Sequence, residues 1–194
     1  MSLDQLTLLD WKRRILALYA EVRGADEPAA AWRRWCEVRA ELYRLHPQSP
    51  RLGGEPSYFA YDPRFRFEAS VHEVDPAPLE IAGSAGSVTR FTRFAVARFA
   101  EHEVELYWLD AYGGGVFLPF RDGTSGRETY GAGRYLLDTV KGADLGGGGD
   151  TLVLDFNFAF NPSCAWDESW ACPLAPPANR LALRIEAGEL TPPL

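Results

Sequence analysis

Phe65-Arg-Phe-Glu-Ala-Ser-Val-His72 alternates apolar and polar residues one by one. Phe65, Phe67, Ala69 and Val71 fall on one side and Arg66, Glu68, Ser70 and His72 on the other, the pattern of a strand with one buried face. Upstream of Tyr58 the period is helical instead. Leu8, Trp11, Ile15, Leu18 and Val22 recur at three- and four-residue intervals behind a Ser2/Gln5 capping-box spacing, which predicts a helix over residues 3–23. Gly24 ends it, Asp26 is placed to cap a second helix, and Pro28 suits that helix's first turn. Trp35, Val38, Leu42 and Leu45 form the second stripe, closed by His46-Pro47.

Downstream, strands are expected near 88–100, 103–110, 116–120, 129–137, 151–158 and 181–186. Glu101-His102 and Ala111–Gly115 are short enough for hairpins, and no helical stretch lies between strands to make a parallel crossover. The expected class is therefore mainly β within α+β. It is a single domain with an N-terminal helical hairpin (1–47) and an antiparallel body (56–194), built as a barrel or two-layer sandwich of about seven or eight strands. Two loops stand out: the Gly-rich 142–150 stretch and the Pro-rich 162–177 stretch, which carries Cys164 and Cys172.

A chain of 194 residues buries enough surface to need no metal or disulfide staple. Its net charge of −7 argues against nucleic acid and against anionic membrane surfaces, both of which select clustered Lys and Arg. Residues 1–51 carry nine Lys/Arg against seven Asp/Glu, and the remainder eleven against twenty, so the excess acid lies on the β body. Residues 1–11 mix Asp4 and Asp10 among leucines, unlike a signal peptide, and no apolar run reaches the roughly 20 residues of a bilayer span. A cytoplasmic location is expected, with the three cysteines as thiols and the oligomeric state open.

The segment Thr151–Asn161 (Thr-Leu-Val-Leu-Asp-Phe-Asn-Phe-Ala-Phe-Asn) holds the main site candidates. If it is extended, Leu152, Leu154, Phe156, Phe158 and Phe160 share one face and Asp155, Asn157 and Asn161 the other. Asn and Asp are depleted in strands, so three together on one face point to a polar pocket, with plain strand alternation as the alternative. In 120–135, turn dipeptides at Asp122-Gly123 and Ser125-Gly126 and the glycines 131 and 133 allow Tyr130 and Arg134 to face that pocket. Arg134 suits a carboxylate or phosphate through its planar guanidinium, or else pairs internally with Asp122 or Asp155.

Neither Gly131-x-Gly133 nor the glycine run 146–149 has the remainder of a nucleotide-binding loop, and no cofactor is expected. Cys164 and Cys172, eight positions apart with no nearby His, lack zinc-site spacing; no metal is expected there. They read as packed thiols, as a disulfide under an oxidant, or, for Cys164, as a nucleophile that needs a base from elsewhere in the fold. Trp166 and Trp170 are candidates for a pocket wall.

Three words, Phe-Leu-Pro-Phe-Arg-Asp-Gly-Thr-Ser-Gly-Arg-Glu-Thr-Tyr-Gly-Ala-Gly-Arg-Tyr-Leu (117–136), Asp-Phe-Asn-Phe-Ala-Phe-Asn-Pro-Ser-Cys-Ala-Trp (155–166) and Cys-Pro-Leu-Ala-Pro-Pro-Ala-Asn-Arg-Leu (172–181), closed by Ala-Gly-Glu (187–189), resemble a bacterial and archaeal family. It is the domain of unknown function numbered 1684. Tyr58-Phe59, Asp62-Pro63 and Phe65 extend the likeness over most of the chain. The resemblance implies motif roles for Asp122, Thr124, Gly126, Thr129, Tyr130, Gly133, Arg134, Tyr135, Asp155, Asn157, Asn161, Cys164, Cys172, Asn179 and Glu189. The chain departs at Phe160 and Trp166, where the family pattern has Tyr, and at Ala178, where it has Glu. The family name attaches no activity.

Three functions remain open on this reading. The first is a binding module for a small polar or anionic molecule, using Tyr130, Arg134, Asp155, Asn157 and Asn161. The second is a hydrolase or isomerase with Asp155 as general base, or a thiol variant through Cys164. The third is structural, with the motif residues holding the 162–177 loop over the sheet.

Overall fold

A computed structural model describes residues 4–193. Helix α1 spans Asp4–Arg23 and α2 spans Pro28–Leu45. The Ser2 cap expected for α1 lies outside the described residues. Gly24 ends α1, its N–H donating to Ala20 O at 3.1 Å. Pro28 opens α2 as expected, but the residue at the cap position is Glu27 rather than Asp26, because the Glu27 carbonyl accepts the N–H groups of Ala30 and Ala31. The inward faces are Ile15, Leu18 and Tyr19 on α1 and Ala31, Trp35, Arg39 and Leu42 on α2, so an arginine sits within an otherwise apolar stripe.

The strands are β1 (Arg66–Ala82), β2 (Val88–Phe99), β3 (His102–Leu109), β4 (Val116–Phe120), β5 (Arg134–Asp138), β6 (Gly147–Gly148) and β7 (Thr151–Asp155). They form one sheet in the order β5-β4-β3-β2-β1-β7-β6, and every neighbouring pair is antiparallel. Strand β1 runs ten residues beyond His72, through Pro76 and Pro78. The register against β2 shifts between Glu73 and Ala77, and that irregularity accommodates a proline that cannot donate to the ladder.

The expected barrel or sandwich is replaced by this single sheet, which does not close into a barrel and is covered by the helical hairpin. Its core joins Ile15, Leu18, Trp35 and Leu42 of the helices to Ala69, Ala97, Leu106, Leu118, Leu136 and Leu154 of the strands. Edge strand β6 is two glycines long, too short to continue the ladder. At the other edge, β5 meets the chain beyond β7 through one bridge, in which Tyr135 and Phe160 exchange N–H···O bonds of 2.9 Å.

Three expected strands are shorter or absent, and the one expected over 129–137 begins only at Arg134, after the turn around Gly131 and Gly133. Strand β7 stops at Asp155 because the Asp155 carboxylate accepts the Asn157 N–H at 3.1 Å and turns residues 156–158 into a 3-10 helix. The alternation proposed for 151–161 breaks there, and residues 154–159 are all buried. Residues 181–186, which alternate like a strand, run as irregular chain. Leu181 and Leu183 bond instead to the main chain of Arg121 and Gly123, and Ile185 to the buried side chains of Asp122 and Arg134.

Candidate functional site

Arg134 begins β5 and is fully buried, as is the side chain of its partner Asp122 at 3.3 Å. The guanidinium donates to the carbonyls of Ile185 (3.2 Å), Ala187 and Glu189 (3.5 Å) and lies over the Phe120 ring, 5.1 Å from its centroid. Asp122 in turn accepts the Ile185 N–H at 2.7 Å and the Thr124 hydroxyl at 2.9 Å. This pair therefore stands in for a strand partner at Ile185 and Ala187, while Gly188 and Glu189 pair with the main chain of residues 58–59 and Ala159. Gly133 makes it possible: at φ +103° any Cβ would lie 2.5 Å from the Phe120 carbonyl. Burial pushes the Arg134 pKa down, with Asp122 acting against that shift.

A second buried pair lies beyond it. Arg39 of α2 donates to Glu189 Oε2 at 2.6 Å, and its guanidinium is ringed by Trp35, Tyr43 and Phe160 at 4.8, 4.9 and 5.3 Å. The same carboxylate oxygen accepts the Asn161 N–H at 3.1 Å, and the Asn161 side chain donates to Leu190 O at 2.7 Å. Burial raises the Glu189 pKa against the pull of Arg39. Asn179 plays the same part on β3, donating to Glu105 O and Pro119 O and accepting the Glu105 N–H, all at 2.8–2.9 Å.

Asp155 and Asn157 form a third group. Asn157 pairs with the backbone of Asp62 in both directions at 2.9 Å, and its amide also donates to Asp155 Oδ1 at 2.8 Å. Asp155 Oδ2 differs from every carboxylate oxygen of the Arg134 pair: it is buried and accepts no hydrogen bond. The nearest cation is Arg66 Nε at 3.6 Å. Asp155 lines a cavity of about 270 Å³ between α1, the start of α2, β1 and the 145–147 turn. Val22, Ala31, Leu145 and Phe158 give that cavity apolar walls, while Arg23 and Arg66 bring positive charge. Burial raises the Asp155 pKa, with the Asn157 bonds and Arg66 opposing it.

Tyr130 and Cys164 belong to a fourth place, with the phenol oxygen 3.9 Å from Cys164 Sγ. Trp166 is buried against Tyr43, ring centroids 5.0 Å apart, and Trp170 is exposed; neither lines the Asp155 cavity. The residues expected to share one pocket therefore separate: Asp155 with Asn157, Arg134 and Asn161 around Glu189, and Tyr130 with Cys164. Loop 162–177 is held mainly from the β1–β2 hairpin and β5, through Leu174 N–H to Ala82 O at 3.1 Å and the Tyr135 hydroxyl to Pro173 O at 2.5 Å.

Sequence reasoning did not single out Arg23, Arg39 or Arg66. Arg39 alone carried a signal, a charge inside an apolar helical stripe. Arg23 and Arg66 reach the cavity from a helix end and a strand start, and nothing local marks them. Among the described residues no cluster of His, Cys, Asp or Glu has the arrangement of a metal site, and no helix is long and apolar enough to cross a membrane.

A search of curated proteins returned no match. The solution NMR structure of an uncharacterised protein of Haloarcula marismortui is similar, with 29% identity, a TM-score of 0.58, and coverage of 86% of this chain and 98% of that one. The sequence model described as protein of unknown function (DUF1684) matches residues 55–190, and the chain belongs to that family.

Proposed function

We propose that the chain binds a small polar or anionic molecule in the cavity of about 270 Å³ beside Asp155. One observation carries this reading: the carboxylate of a residue that lines a cavity has one buried oxygen that accepts no hydrogen bond. Leaving such an acceptor unpaired costs about 1–3 kcal/mol, and a ligand hydroxyl, amide or amine would recover that cost on binding. Arg23 and Arg66 favour a ligand that also carries a carboxylate or phosphate, which the guanidinium geometry matches. Asn157 positions Asp155, whereas Arg134 and Asn161 hold the chain.

The second reading makes Asp155 the general base of a hydrolase or isomerase. The burial that raises its pKa favours this, because a base works best with a pKa near the working pH. In the third, motif residues act only as scaffold, and the partners of Arg134, Asn157, Asn161 and Asn179 favour that for those four side chains.

A thermal-shift screen against small hydroxylated and amino acids, sugars and phosphates tests the proposal, with Asp155→Asn and Arg66→Ala in parallel. A ligand at about 100 times its Kd adds about 2.7 kcal/mol, and hence roughly 5–10 °C at 2–4 °C per kcal/mol. Both variants should lose most of that shift. A shift retained in full by Asp155→Asn would refute the site, and turnover of the identified ligand, abolished in the same variant, would select the enzyme reading.

A further inference from the structure

We propose that Cys164 and Cys172 are a redox couple that hydrogen peroxide closes to a disulfide, Cys164 attacking and Cys172 resolving. The two are free thiols, buried at 3% and 6% exposure. They already meet: the Cys164 N–H donates to Cys172 Sγ at 3.3 Å. Cys172 is fixed from outside the loop, its N–H donating to Ser84 Oγ at 3.2 Å and its carbonyl accepting the Ser84 N–H at 3.0 Å. Cys164 is fixed by a 3-10 turn over residues 163–165. Cys172 Sγ is thus held beside the Cys164 main chain before any oxidation, the proximity that a bridge requires.

The surroundings divide the roles. The Tyr130 hydroxyl lies at Cys164, and the Cys172 thiol together with it brings the Cys164 pKa down to about 6 against burial. The neighbouring Cys164 sulfur and burial move Cys172 the other way, upward. A thiolate is the nucleophile in such chemistry, which assigns the first attack to Cys164. Access comes from the stretch between the two cysteines, where residues 168–171 are exposed, and from Tyr130, which is only half-buried. Peroxide, little larger than water, fits such an approach.

The steps balance. The Cys164 thiolate attacks one peroxide oxygen, the S–O bond forms as the O–O bond breaks, and hydroxide leaves to take a proton as water. The Cys172 sulfur then attacks the Cys164 sulfenic acid, the S–S bond forms as the S–O bond breaks, and the departing hydroxide takes the Cys172 proton. Two thiols and one peroxide give a disulfide and two waters. A thiol reductant reverses the change by exchange. Cys36, half-buried on α2 and pushed up to about 12 by burial, is the internal control.

The test treats the reduced full-length chain with a slight excess of hydrogen peroxide, then alkylates under denaturing conditions and maps peptides by mass. Wild type should fall from three alkylatable thiols to one, at Cys36, with a 164–172 linked peptide that dithiothreitol restores. Cys164→Ser should react at least about tenfold more slowly. Cys172→Ser should stop at a sulfenic acid on Cys164, trapped by dimedone. The proposal is overturned if Cys164 and Cys172 react no faster than Cys36, or if the linkage found joins two molecules. It is also overturned if Cys172 takes the dimedone in Cys164→Ser as fast as Cys164 does in the converse variant. The wild-type result needs no substitution, so a variant that fails to fold does not spare the proposal.

Discussion

Two buried acids, Asp122 and Asp155, lie at the start of turns and accept from the residue two positions on, yet they end in opposite states. Asp122 uses both oxygens on Thr124, Arg134 and Ile185. Asp155 uses one on Asn157 and leaves the other without a hydrogen bond beside a cavity. A buried charge with every lone pair engaged fixes the chain around it, while one with capacity left over is where a ligand can gain binding energy. Motif membership does not distinguish the two, because both acids sit in segments that resemble the family. Their partners do.

The sharpest way to break the comparison is Arg134→Met. It leaves Asp122 buried without its cation and unpairs the carbonyls of Ile185, Ala187 and Glu189, so it should cost about 3–5 kcal/mol. That is a thermal midpoint lower by roughly 6–20 °C. A loss below 1 kcal/mol would mean that the C-terminal segment is ordered by something other than this pair. Asn157→Ala should cost less, about 1–3 kcal/mol for the bonds to Asp62 and Asp155, with faster hydrogen exchange at the Asp62 amide.

Asp155→Asn sharpens the comparison because its expected cost at neutral pH is under about 1 kcal/mol, or a slight gain. Its pKa is raised in the folded state, so folding holds the proton more tightly than the unfolded chain does. The native form is favoured below the unfolded value of about 3.9, and stability falls as pH rises from there through the folded value. Urea midpoints from pH 3.5 to 7 should show the stability of wild type relative to Asp155→Asn falling as pH rises, whatever the other carboxylates contribute to both. A variant that loses stability as pH rises just as wild type does would place the decline elsewhere. Arg66→Ala should change stability least, by about 0.5 kcal/mol or less, since its side chain is 40% exposed; only the ligand response should drop.

Much of the fold was legible because local periods decide it. The helical stripes place α1 and α2, and period two places the start of β1 and most of β2, β3 and β4. The errors share one cause. Leu181, Leu183 and Ile185 alternate as a strand would, but they meet the main chain of Arg121 and Gly123 and the side chains of Asp122 and Arg134, about fifty residues away or more, rather than a regular partner strand. Likewise Asp155 diverts its own strand into a turn, which no count of alternation detects. Asp155 was identifiable as an acid out of place in an apolar run. The cavity was not, since it joins residues near 23, 66, 146 and 155 that only the fold brings together.

The clamp on residues 185–189 also sets a timetable for synthesis. Every strand of the sheet is complete by Asp155, yet the carbonyls that receive the Arg134 guanidinium lie thirty or more residues later. At about 5–20 residues per second, those acceptors are made roughly 2–6 s after the last strand, and until then the Arg134 cation lacks them. During that interval the exposed flank of β5 is open to other chains, which makes emergence from the ribosome, rather than the finished molecule, the stage most vulnerable to misassembly.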